Sequence, residues 1–266
     1  MKVSIITASF NNLDTIEDTI RSVLSQKYED IEYIVVDGAS SDGTVEIVKK
    51  YANNPPLPPF AKGGGFSDSR RIAKFVSEPD NGIYHALNKG LKMATGDIVG
   101  FLHADDVYAH GMVIDWVVSR IMNCNTDSCY GDLQYVHKKD INKIFRHWRS
   151  CYYTDGLFKK GWMPPHPTFF VKKEIYDEHG HFNTDFKIAA DYELMLRFLE
   201  RNKISTHYIP EVLVKMRTGG KSNKSLKNLI IKSFEDYKAW KVNKLDGGLY
   251  TILLKNISKL PQFFKK

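Results

Sequence analysis

Residues 1–50, MKVSIITASFNNLDTIEDTIRSVLSQKYEDIEYIVVDGASSDGTVEIVKK, read as strand–helix–strand–helix. Val3 to Ala8 is a short β-branched run of the kind that fills a buried parallel strand. Asn11, Asn12 and Asp14 are turn or cap residues. Leu13, Ile16, Ile20, Val23 and Leu24 then recur at helical spacing, with Glu17 and Asp18 in the early turns. Ile31 to Val36 is a second apolar strand that ends at Asp37-Gly38, and Val45, Ile47 and Val48 mark a second helix. Strands alternating with helices imply an α/β fold, a mostly parallel sheet flanked by helices with right-handed crossovers.

Beyond this unit the alternation is interrupted at 53–71, NNPPLPPFAKGGGFSDSRR, where four prolines and three consecutive glycines can extend neither a helix nor a central strand. The glycines lack the spacing of a phosphate loop, so the stretch reads as a surface insertion without chemistry. A strand is expected at Ile72–Val76, a helix from Ile83 to Ala94, a buried strand at Ile98–Leu102 and a helix from Gly111 to Met122. Cys129–Val136 and Lys143–Trp148 look like a hairpin. The aromatic segment 162–171 leads into a short helix at 173–179 and a longer one at 191–201. Leu213–Arg217 is a strand and 218–223 a Gly/Ser loop.

The 266 residues carry a formal net charge of +7, but unevenly. Between Lys215 and Lys266 lie 13 Lys/Arg and 3 Asp/Glu, which leaves 25 basic and 28 acidic residues in the body. A nucleic-acid-binding core would carry its basic excess in the body, so nucleic acid is not the expected partner. Three cysteines without a CxxC pair argue for a reducing compartment and against a disulfide framework. With no leader-like segment and no long apolar run, the expected location is cytoplasmic, with peripheral attachment to the inner face of the cell membrane as an extension.

Several carboxylates fall where an open parallel sheet binds ligands, outside the carboxyl ends of its strands. Asp37 closes the second strand, and Asp105-Asp106 close the strand at 98–102. Each alone reads equally as a cap or turn residue, and Asp42 is assigned that structural role. Two adjacent aspartates suit a hard divalent cation bridging substrate phosphates. Asp191 and Glu193 open a helix, where acids complement the dipole or act as a general base. His166, between two prolines, is either solvated or lines a site.

The motifs VSIITASFN (3–11), IVVDGASSDGT (34–44), SEPDNGIYHALNKGLKMATGDIVGFLHADD (77–106) and AADYELMLRF (189–198) together resemble the family 2 glycosyltransferases of bacterial polysaccharide assembly, of the colanic-acid type. The resemblance covers about residues 1–220. It implies the GT-A fold, a Rossmann-like nucleotide-diphospho-sugar transferase architecture, over a domain spanning 1–220, with a basic amphipathic helical tail at 221–266. It further implies that Thr7, Ala8 and Ser9 border the nucleotide base, that Asp37 hydrogen-bonds it, and that Asp80, Gly82 and Ile83 form the loop under the donor sugar. Asp105 would lie near ribose or metal, Asp106 would bind the cation (Mn2+ or Mg2+), and Asp191 would be the catalytic base. His166 would approach the acceptor, and the loop with Lys221 and Ser222 would close over the diphosphate. The chain departs from the pattern at the 53–71 insertion and at His103, where relatives often have Asn.

The implied reaction is a single displacement. A nucleotide-diphosphate sugar, by default a UDP-sugar, passes its sugar with inversion to a hydroxyl of a saccharide or lipid-linked saccharide. The alternative is a non-catalytic nucleotide-sugar-binding subunit of a glycan-assembly complex; the presence of both Asp106 and Asp191 favours the enzyme. A nucleotidyltransferase would want a Gly-rich basic loop after the first strand, where this chain has SFNNLD. In the tail, Leu226, Leu229, Ile230, Phe234, Tyr237 and Trp240 recur at helical spacing among lysines, and a second apolar run holds Leu249, Tyr250, Leu253, Leu254, Ile257, Leu260 and Phe264. Such stripes suit helices lying on an anionic membrane over 225–266, or else helices packed on the enzyme body or in a homodimer contact.

Overall fold

A computed structural model describes residues 1–53, 71–219, 226–247 and 249–257. Most of the Pro/Gly-rich insertion, and Lys221, Ser222, Leu260 and Phe264 of the sequence expectations, lie outside the described residues.

The strands β1 (Val3–Ser9), β2 (Ile31–Asp37), β3 (Lys74–Ser77) and β4 (Ile98–Phe101) alternate with α1 (Ile16–Leu24), α2 (Thr44–Asn53) and α3 (Ile83–Met93). They form a parallel half-sheet in the order β3-β2-β1-β4. β1 is buried along its whole length, as its unbroken apolar run requires. Helix α3 lies close on its face: a Cβ on Gly90 would stand 2.4 Å from Ile6 Cγ2, so only glycine admits this contact.

The second half-sheet departs from the expected parallel pattern. β5 (Asp106–Tyr108), α4 (Val113–Cys124), the hairpin β6 (Ser128–His137) and β7 (Asp140–Trp148), β8 (Phe170–Lys172), α5 (Lys173–His179) and β9 (Thr206–Arg217) follow. β8 is antiparallel to both β4 and β6, β9 is parallel to β6, and β5 is antiparallel to β9. The nine-stranded sheet is therefore mixed, in the order β3-β2-β1-β4-β8-β6-β9-β5 with β7 on β6. β9 begins seven residues earlier than the sequence suggested. Pro210 and Glu211 lie within the strand, opposite a register shift between Gly131 and Asp132.

α6 (Ala190–Met195) is followed by a π-type turn at Leu196–Arg201, where a single helix was expected. The tail forms α7 (Leu226–Val242) and α8 (Leu249–Ile257). The expected apolar stripe of α7 does not form one face: Trp240 points inward, while Ile230 and Phe234 are each 70% exposed. The inward face instead holds Glu235, Asp236, Ala239, Trp240 and Asn243. The described part of the tail thus packs on the enzyme body, the second of the readings open from the sequence. No described helix is long and apolar enough to cross a membrane.

Candidate active site

The ends of β1 and β2 are stitched together. Asn11 Oδ1 accepts the Ser41 N–H at 3.0 Å, and Ser40 Oγ accepts the Asn11 N–H at 2.8 Å. Asn11 and Ala39 sit at φ 53° and 61°, left-handed conformations that non-glycine residues adopt at a cost. Asp42 accepts the N–H groups of Leu13 and Thr44, the structural role expected of it. Asp37 is fully buried, and its oxygens accept the Ser40 N–H and the hydroxyls of Ser40 and Ser77 at 2.5–2.8 Å. Its carboxylate therefore fixes the loop after β2 and ties it to β3. Thr7 exchanges a hydrogen bond with Tyr33 at 3.1 Å, and Ala8 and Ser9 are buried beside it.

Asp80 lies just before α3. One oxygen accepts from Lys89 Nζ at 2.8 Å, and the other is buried with no hydrogen-bond partner among the described residues. Gly82, at φ 119°, makes the turn into α3 that a side chain would strain.

The adjacent aspartates are unequal. Asp105 is half-buried, whereas Asp106 is 1% exposed. Asp106 Oδ1 accepts the Arg217 N–H at 3.3 Å, and its Oδ2 is buried with no hydrogen-bond partner among the described residues. Burial, then the charge of Asp105, pushes the Asp106 carboxyl well above the usual carboxylate range. Arg217 braces the pair: Nη1 donates to the Asp105 carbonyl at 2.9 Å, and Nη2 pairs with Asp18. No cluster of three or more His, Cys, Asp or Glu among the described residues could hold a metal ion unaided. Two neighbouring hard carboxylates with an orphaned oxygen nevertheless fit a divalent cation whose remaining ligands come from substrate phosphates.

Asp191 stands at the start of α6. His166 Nδ1 is 3.2 Å from its Oδ2, and Tyr84 Oη donates to the Ile188 carbonyl at 2.7 Å while lying 3.4 Å from Asp191 Oδ1. Burial, the largest influence, would raise the Asp191 pKa. The positive charges of His166, Lys232 and Lys255 outweigh it and hold the carboxyl below the usual range. Glu193, the other candidate on this helix, is buried and bound to Arg197 at 3.0 Å and Asn243 at 3.1 Å, which assigns it to structure. The His103 and His166 rings lie with centroids 5.5 Å apart, and His103 Nδ1 is buried with no hydrogen-bond partner among the described residues.

The sequence reading did not find the groups that hold Asp191 from the tail. Glu235 on α7 accepts the N–H groups of Lys187, Ile188 and Ala189 at 2.8, 2.9 and 2.8 Å. Trp240 Nε1 donates to Tyr192 Oη at 2.9 Å. Lys255 on α8 is buried, 2.7 Å from Asp236 Oδ1 and 3.3 Å from the Tyr192 ring centroid, and burial lowers its pKa to about 8. A carboxylate on a basic helix, spaced away from any partner in sequence, gives no local sign of this role.

The parallel half-sheet, the mixed strands beyond it and the acidic residues that follow β4 make up an α/β architecture of the GT-A class. The profile of glycosyl transferase family 2 matches residues 4–188, and the chain belongs to that family. An uncharacterized glycosyltransferase of Mycobacterium tuberculosis is 32% identical over 197 residues, covering 73% of this chain and 68% of that one. The UDP-Glc:alpha-D-GlcNAc-diphosphoundecaprenol beta-1,3-glucosyltransferase WfaP of Escherichia coli is 28% identical over 246 residues, covering 87% and 84%. Among solved structures, S. aureus TarS 1-349 in complex with UDP-GlcNAc has TM-score 0.66 at 16% identity, covering 96% of this chain and 70% of that one. The mannosyltransferase PcManGT from Pyrobaculum calidifontis, in complex with GDP-Man and Mn2+, has TM-score 0.64 at 20% identity, covering 97% and 69%. These likenesses fix the fold as GT-A.

Proposed function

We propose that the chain is an inverting, cation-dependent glycosyltransferase that moves a sugar from a nucleotide-diphosphate donor to a hydroxyl of a phosphate- or lipid-linked saccharide. The observation that carries the reading is that the candidate acids fall in two sets on separate elements, Asp105-Asp106 beyond β4 and Asp191 at the start of α6. Asp191 has its own cationic neighbours, which favour its ionised form. A carboxylate that holds a metal cannot serve as a free base, so a direct displacement needs them separate.

In this reading Thr7, Ala8, Ser9 and the loop fixed by Asp37 form the base end of the donor site, and Asp80 and Gly82 the sugar end. The burial of Asp106 supports giving first contact with the cation to Asp105, with Asp106 behind it. A bound Mn2+ or Mg2+ would offset charge developing on the leaving diphosphate. Asp191 takes the proton of the acceptor hydroxyl as that oxygen attacks the anomeric carbon. His166 orients the carboxylate, and Tyr84 braces the adjoining backbone. UDP is the donor nucleotide we favour, and a lipid-linked acceptor, as in the name of the E. coli relative, is the acceptor class. The outward Ile230 and Phe234 of α7 and Tyr250 of α8, among lysines, would rest on an anionic membrane that presents such an acceptor.

The test is a panel of nucleotide sugars scored for Mn2+-dependent thermal stabilisation and then for release of nucleoside diphosphate. One sugar nucleotide should stabilise the chain by about 2.7 kcal/mol at a hundred times its Kd, and only with the cation. Absence of cation-dependent stabilisation across the panel would overturn the reading. Liposome co-sedimentation tests the membrane contact: equal binding of the wild type and an Ile230→Ser/Phe234→Ser variant would remove it.

A further inference from the structure

One transverse row of the sheet runs from the carboxylate pair to the outer hairpin. Asp106 on β5 faces Met216 on β9, Met216 faces Tyr135 on β6, and Tyr135 faces Arg146 on β7. Directly opposed residues share a sheet face, so these four side chains lie on one surface, with Arg146 about 14 Å from Asp106 across three strand spacings. The Arg146 guanidinium carbon lies 4.0 Å from the Tyr135 ring centroid and 5.9 Å from that of Trp148. The two rings are 6.4 Å apart and 4° from parallel. Tyr135 faces Arg146 while Val136 faces Ile144, so a bulge at Phe145 re-aims the strand at this point.

The charge of the hairpin matches this placement. From His137 to Arg149 there are five Lys/Arg (Lys138, Lys139, Lys143, Arg146 and Arg149) against the single acid Asp140. Within a body that is otherwise acidic, this is a concentrated basic surface. Tyr135 also sits in the field of both acidic centres: burial raises its pKa, Arg146 lowers it, and the charges of Asp106 and Asp191 raise it further.

We propose that Arg146, stacked on Tyr135 and Trp148, is an anion subsite for the phosphate ester that links the acceptor saccharide to its carrier. The inference rests on the transferase reading above and deepens its acceptor side. Stacking fixes the plane of the guanidinium, and its fork of N–H donors matches two phosphate oxygens at once. A carrier phosphate seated there would lie on the sheet face that Asp106 shares, about 14 Å from that residue. The donor's own diphosphate is served by the cation site and has no need of this arginine.

Metal-stripped full-length protein titrated calorimetrically with inorganic pyrophosphate separates the two anion sites, because the donor site depends on its cation. The wild type should bind, Arg146→Ala should weaken binding roughly ten- to hundredfold, and Arg146→Lys should recover part of it by keeping charge without the fork. Asp105→Asn should leave this affinity unchanged. Thermal unfolding of each variant controls for folding, and Arg146→Lys carries the test where Arg146→Ala does not fold. No binding by the wild type, undiminished binding by the arginine variants, or loss in Asp105→Asn would each overturn the subsite. Nucleotide-sugar hydrolysis by the wild type with Mn2+ reports on the transferase reading separately.

Discussion

Glu235 Oε2 accepts the backbone N–H of Ala189 at 2.8 Å, so a residue of α7 holds the peptide that leads into α6 and Asp191. The same carboxylate binds the N–H groups of Lys187 and Ile188. Glu235→Ala leaves three donors unmet in a largely buried setting, at a cost of about 2–4 kcal/mol. Turnover should fall more than donor affinity, because the displaced group is the proposed base and not the donor pocket. Kinetics and thermal unfolding of Glu235→Ala and Glu235→Gln check this. Unchanged kcat in a destabilised Glu235→Ala would show that the helix only packs.

If Asp191 is the base, His166 beside it should set the acid limb of the rate profile. Its positive charge favours the ionised carboxylate, and its removal takes away one of the influences that offset burial. His166→Gln keeps a hydrogen-bonding group but no charge. The pH at which kcat falls on the acid side should therefore rise relative to the wild type. An acid limb that stays in place, measured from pH 4 to pH 8 (roughly the range over which carboxylates and histidines titrate), would remove His166 from the tuning of the base.

Asp105 and Asp106 should separate by experiment. Asp105→Asn should abolish Mn2+-dependent stabilisation by the nucleotide sugar while leaving the fold intact, since its side chain is half-buried. Asp106→Ala should lower the unfolding temperature itself, because it empties a buried position that binds the Arg217 backbone. Titration calorimetry with Mn2+ and the donor, set beside thermal unfolding, distinguishes the two. The reverse pattern would return the cation to Asp106.

The parallel half-sheet was legible because β1, β2 and β4 are short apolar runs that end in turn residues, a pattern that follows from burial on both faces. β5 was not, because three residues give no period, and the start of β9 was masked by Pro210. Among the candidate residues, Asp105, Asp106 and Asp191 stood out by position at element ends and His166 by its place between two prolines. Asp37 did too, but its commitment to Ser40 and Ser77 depends on how two loops meet. The tail misled most. Its apolar spacing suggested one amphipathic face, yet α7 and the residue after it turn Glu235, Asp236 and Asn243 inward because the backbone before α6, Lys255 and Glu193 respectively offer them partners. Tyr135 and Arg146 meet only through strand register, which no local pattern in the sequence encodes.

The central claim is that Asp191 is the base of a direct displacement. The most direct measurement compares Asp191→Asn with the wild type for donor affinity and for turnover with the best nucleotide sugar and acceptor. The expected result is turnover lower by roughly 10²–10⁴-fold with donor affinity essentially unchanged. Turnover within a few-fold of the wild type, or a loss explained wholly by weaker donor binding, would contradict it.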